Sequence, residues 1–150
     1  MRAHARYAAT TRDIGFGPPR GRTSSPLRAI RKSTDTYAGL ATSPRAALRN
    51  LAYLQHDLAD PVLRRNLLRL SRAARGHYQQ LVADAIAAGE LRVDTDARML
   101  ARLIEVTLGG SFLAWATYRE GPAASWLRRD LEATLRPYLA PGRARRSVPR

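Results

Sequence analysis

From Leu103 to Tyr118 the chain is apolar on nearly every side of a helix, with Leu103, Ile104, Val106, Leu108, Phe112, Leu113 and Trp115 spread around the axis. A helix that is apolar all round must be buried all round. A chain of 150 residues makes one domain and has limited room to cover such a helix from every direction. The sequence therefore predicts a helix over about 96–119, capped by Asp94 or Thr95, part of whose surface meets another subunit. Gly109-Gly110 in its middle costs about 1 kcal/mol per glycine relative to alanine. The pair makes physical sense where another backbone approaches closely.

Upstream, one device recurs. Ser25-Pro26, Ser43-Pro44 and Asp60-Pro61 each place a capping oxygen before a proline. Proline suits the first helical position because its missing N–H has no partner there anyway. The segment 26–39 carries Leu27, Ile30 and Tyr37 and stops near Gly39. The segment 44–58 carries Ala47, Leu48, Leu51, Leu54 and Leu58. In 61–88, Leu63, Leu67, Leu70, Ala74, Tyr78, Leu81 and Ala85 form one stripe, Arg65, Arg69 and Arg72 lie opposite, and Gly89 closes the helix. Residues 90–94 connect. After Gly121-Pro122 a last helix, about 123–139, presents Trp126, Leu127, Leu131, Leu135, Tyr138 and Leu139, and Pro141 ends it. No strand-like alternation and no repeat appears. The expectation is an all-α bundle of five to six helices over 26–140, with disordered basic tails at 1–25 and 141–150.

The net charge of +14 is concentrated at the ends. Residues 1–32 hold eight basic and one acidic side chain, a net +7, and residues 142–150 hold four basic and none acidic. The stretch 33–141 is only +3, with 14 basic and 11 acidic residues. Such tails are ordinarily solvated, although they can bind polyanions without specificity. Cysteine is absent, which excludes disulfides and thiolate chemistry. No stretch reaches the roughly 20 consecutive apolar residues of a membrane span. The basic N-terminus has no apolar segment of the secretory type behind it. A cytoplasmic protein with no membrane association is expected.

Catalysis finds little support. There is no Gly-rich phosphate loop, no Gly-x-Ser-x-Gly elbow and no His-Glu pair at metal-ligand spacing, so neither an enzyme, a metal nor a cofactor is expected. His56 and Asp57 point about 100° apart on a helix and do not converge, and Asp60 reads as a cap. Glu105, alone in the apolar helix, reads as the partner of Arg102 or of an arginine on a neighbouring helix. His77 and Tyr78 lie beside the apolar stripe of 61–88, as core or as hydrogen-bonders for a ligand.

The run "LVADAIAAGELRVDTDARMLARLIEVTLGGSFLAW" (81–115) resembles the C-terminal domain of TetR-type transcriptional regulators. That pattern is a long helix ending in Gly-Glu-Leu, a short Asp-containing turn, then an apolar helix with a mid-helix glycine and a tryptophan. "DPVLRRNLLRL" and "WLRRDLEATLRPYL" sit where the family places its long core helix and its last helix. The resemblance implies a pocket for a small apolar or aromatic effector and a homodimer in which the last two helices pair with their copies as a four-helix interface. On it, the candidate ligand-binding residues are Leu51, Tyr53, Leu54, Leu70, Ala74, Tyr78, Leu108 and Phe112. The candidate dimer residues are Leu103, Val106, Gly109, Gly110, Leu113, Trp126, Leu127, Leu131 and Leu135. No segment resembles the family's DNA-reading helix-turn-helix, so sequence-specific DNA binding by this chain alone is not expected. The alternative is an arginine-rich nucleic-acid-associated or protein-interaction module, using the tails and the Arg65/Arg69/Arg72 face.

Overall fold

The computed structural model describes residues 25–141. The tails expected at 1–25 and 141–150 lie, apart from Ser25 and Pro141, outside the described residues. Five α-helices follow in order: α1 Pro26–Ala38, α2 Pro44–Ala59, α3 Pro61–Ala87, α4 Ala97–Tyr118 and α5 Ala123–Leu135. A 3₁₀ turn, Arg136–Tyr138, completes them. The fold is an all-α bundle. Among the described residues, the extended backbone pairs only at one isolated bridge, Leu91 with Leu139.

Each proline-initiated helix is capped as its sequence dictates. Ser25 Oγ accepts from the Arg28 N–H at 3.1 Å, and Ser43 Oγ from the Ala46 N–H at 3.2 Å. Asp60 Oδ1 accepts from Val62 and Leu63 at 2.7 and 3.0 Å. These bonds satisfy amides that no helical carbonyl can reach. The cap of α4 is neither Asp94 nor Thr95 but Asp96, whose Oδ1 accepts from the Arg98 and Met99 N–H groups at 2.9 and 3.0 Å. Asp94 instead holds Arg92 at 2.6 Å. The last helix also stops short of the expected 139. Pro137 has no N–H to continue the ladder and its ring clashes with the preceding turn, so the chain tightens into the 3₁₀ turn after Leu135.

Helix α4 packs on all four of its companions, and α1 lies between α3 and α5. Leu27 and Ile30 of α1, Tyr78, Leu81, Val82 and Ala85 of α3, Leu100, Ile104 and Leu108 of α4, and Leu127, Leu131 and Leu135 of α5 share one core. Burying one such leucine or isoleucine is worth about 1.5–3 kcal/mol. Counted by consecutive apolar residues no stretch matches a membrane span, but on mean hydropathy, 1.3 over 18 residues, α4 is long and apolar enough to cross one. Its Leu100, Ile104, Leu108, Phe112 and Trp115 side is instead covered by the chain itself.

Two polar ties seat α5 on α4. Ser111 Oγ donates to Asp130 at 2.6 Å, and the Thr107 and Thr134 hydroxyls meet at 2.9 Å. The α4–α5 turn is held by both tryptophans: Trp115 Nε1–H donates to the Gly121 carbonyl at 3.0 Å, and Trp126 Nε1–H to that of Glu120 at 2.7 Å. The turn passes through positive φ at Arg119 (62°) and Gly121 (60°).

Candidate functional site

The core ends abruptly within α3. Burial on that helix begins at Tyr78, and α2 contributes only Ala47. Ahead of Tyr78, Leu63, Leu67, Leu70 and Ala74 of α3 are half-buried, as are Leu51 and Leu54 of α2, and none of these belongs to the core or packs against it. The α2–α3 hairpin thus presents an apolar seam that its own protomer covers only in part. Around it Leu48, Leu58, Val62 and Leu68 are exposed.

The expected ligand residues divide accordingly. Tyr78, Leu108 and Phe112 are in the packed core, while Leu51, Leu54, Leu70 and Ala74 line the half-covered seam. Tyr53 stands 46% exposed. The seam meets the core at a polar patch. Burial pushes the Tyr78 phenol up, the Ser33 hydroxyl beside it opposes the shift, and the Glu105 carboxylate adds to it. Glu105 takes its partner from the neighbouring helix: Arg75 of α3 bonds its Oε2 at 2.7 Å, and Arg102 does not. His77, whose ring centre lies 6.2 Å from that of Tyr78, is held below the ordinary histidine range by burial.

A second surface lies on α4, opposite its buried side. Met99, Leu103, Val106, Gly110, Leu113 and Thr117 follow one another at alternating spacings of four and three, the period of a seam between two helices crossing at a shallow angle. Met99, Val106 and Leu113 are 49%, 61% and 47% exposed, and Leu103 is half-buried. A Cβ added at Gly109 or Gly110 would meet nothing within 4 Å, so no close approach inside the protomer calls for either glycine. On α5, Leu127, Leu131 and Leu135 point into the protomer's own core at 0–1% exposure. Trp126 is half-buried, stacked on Tyr118 with ring centres 5.6 Å apart, and Arg129 sits 4.8 Å from its ring centre.

Sequence reasoning missed Glu90. It is 2% exposed, and its Oε2 accepts the Leu27 N–H of α1 at 2.8 Å. The available signal was the Gly-Glu-Leu run itself, a charged residue directly before a buried leucine at a helix end.

Fold and surfaces together define an all-helical bundle domain in which, among the described residues, no three His, Asp or Glu side chains gather to hold a metal. The sequence profile of the family described as "Tetracyclin repressor-like, C-terminal domain" matches residues 51–131, more than half of the chain. The chain belongs to that family. No curated protein and no solved structure matches it.

Proposed function

We propose that this chain is the effector-binding and dimerisation part of a TetR-type transcriptional regulator, acting in the cytoplasm as a homodimer and not as an enzyme. The observation that carries the reading is the outward stripe of α4. An isolated protomer leaves Met99, Val106 and Leu113 against water along one line. A second copy of the same helix removes them from water at about 25 cal/mol per Å², and the open backbone at Gly109 and Gly110 lets the two axes close on each other. Because Leu127, Leu131 and Leu135 serve the protomer core, α5 joins the interface through Trp126 and its exposed side.

The effector site is the seam of the α2–α3 hairpin. Its leucines suit a small apolar or aromatic ligand, and His77 and Glu105 at its inner end supply the few polar groups that fix orientation in such sites. Light scattering on the chain tests the assembly. A particle of twice the 16.6 kDa chain mass supports the reading, and a monomer at micromolar concentration overturns it. A thermal-shift screen with small aromatic and aliphatic compounds tests the seam. Stabilisation that Leu54→Asp or Leu70→Asp removes places the ligand there.

A further inference from the structure

The geometry points to a second binding surface, the outward side of α3 along Arg65, Arg69 and Arg72, which takes the phosphate backbone of duplex DNA without regard to sequence. Most carboxylates among the described residues are engaged elsewhere. Asp60 and Asp96 cap helices, and Glu90 serves the start of α1. Asp35, Asp94, Glu105, Asp130 and Glu132 hold Arg128, Arg92, Arg75, Arg129 and Arg31. Arg45 and Arg49 of α2 and Arg65, Arg69 and Arg72 of α3 are in no ion pair among the described residues, and all five are exposed. The Asp60 carboxylate is held low by the amides of Leu63 and Val62 first, with Arg65 only the last of its influences.

These arginines are not scattered. Arg65, Arg69 and Arg72 lie on the side of α3 away from Leu63, Leu67 and Leu70, and Arg45 and Arg49 on the side of α2 away from Ala47 and Leu51. The α3 row continues into Gly76, and the α2 row into Ala52 and the exposed His56. From Arg65 to Arg72 the helix rises about 10 Å, the rise of about three base pairs at 3.4 Å per phosphate along a strand. Guanidinium forks match phosphate oxygens in pairs. A bilayer surface would want bulky apolar residues along the centre of the face to insert. On α3 the centre line holds Arg65, Arg69, Arg72 and Gly76, and the exposed Val62 and Leu68 stand to either side of it.

The test is fluorescence anisotropy with a labelled random-sequence 20-base-pair duplex over a salt series. It compares the full chain, the Arg65→Gln/Arg69→Gln/Arg72→Gln variant, and a control variant carrying Arg28→Gln/Lys32→Gln/Arg136→Gln. Both variants lose three charges and keep the same terminal arginines. All six side chains are exposed and glutamine is a good helix former, so folding is preserved. The face variant is expected to bind at least about tenfold more weakly at low salt, and its slope of log affinity against log salt to flatten by roughly two to three. The control is expected to keep the parent's slope within about one. Equal losses in the two variants, or none in the face variant, overturn the proposal. So does a face variant that loses binding to phosphatidylserine vesicles while holding the duplex as tightly as the parent, which assigns the face to a membrane surface instead.

Discussion

The backbone N–H of Leu27 donates to Glu90 Oε2 at 2.8 Å, across 63 residues of chain. Leu27 sits in the first turn of α1, where amides have no helical acceptor and the helix dipole favours an anion. Ser25 serves one of these amides and Glu90 another, so a buried carboxylate from the α3–α4 connection fixes where α1 begins. Glu90 is itself held in place. Its N–H bonds the Ala85 carbonyl at 2.8 Å, and its carbonyl accepts the Ala140 N–H at 3.2 Å. Glu90→Ala should therefore cost about 1–3 kcal/mol, the cost of leaving a buried donor unmet. Chemical denaturation measures the loss, and hydrogen exchange should show the α1 amides opening first. An unchanged midpoint would mean that water replaces the carboxylate at no cost.

Substituting leucine at both Gly109 and Gly110 should act in opposite directions on fold and assembly. Inside the protomer a Cβ at either position meets nothing within 4 Å, and helix propensity improves by up to about 1 kcal/mol per site. Between two copies they hold the helices apart. The expected result is a monomer by light scattering with undiminished helical signal. A dimer that survives the double change would place the contact elsewhere on the surface.

Gly121→Ala isolates backbone strain from packing. Gly121 has φ +60° and open space where a Cβ would go. The cost is thus the left-handed conformation alone, about 1–2 kcal/mol. Trp115→Phe removes the indole donor to the same residue's carbonyl and should cost about 1 kcal/mol by itself. The two changes share one turn, so a double-mutant cycle should show that their effects do not add.

His77 should give the stability curve an acid limb. Burial lowers its pKa in the folded protein below the ordinary 6.5. The unfolded chain therefore binds the proton first as pH falls, and its excess of bound protons lowers folding stability from about pH 6.5 down to the folded value. Above that window the contribution is fully retained. Denaturation midpoints across the window should fall for the parent chain and flatten for His77→Gln, and parallel curves for the two would remove His77 as the cause.

Much of the fold was legible because it rests on local rules. Ser25, Ser43 and Asp60 before prolines mark three helix starts that the structure places where the spacing predicts them, and the apolar period of 61–88 predicts a helix that ends within a residue of Ala87. The two misplaced boundaries have local causes too. Asp94, Thr95 and Asp96 are all chemically fit to cap α4, and it is Asp96 whose carboxylate meets the Arg98 and Met99 amides. Pro137 ended α5 although the apolar period runs on through Tyr138 and Leu139.

The candidate sites were less legible. Periodicity places Leu70, Tyr78 and Leu108 on apolar faces, but it cannot say that Tyr78 and Leu108 are packed solid while Leu70 is left half-covered. That depends on where the core runs out along α3. Likewise Leu127 and Val106 are equally apolar in the sequence, and only the packing of α1 and α4 against α5 buries the first and leaves the second facing out. Sequence by itself determined the helices, their caps and the family pattern, because hydrogen bonds within a turn and a 3.6-residue period are local. Tertiary structure alone decided which apolar surface remains uncovered and that Glu90 would anchor a helix 63 residues away, because burial depends on the whole chain's packing and not on any one segment.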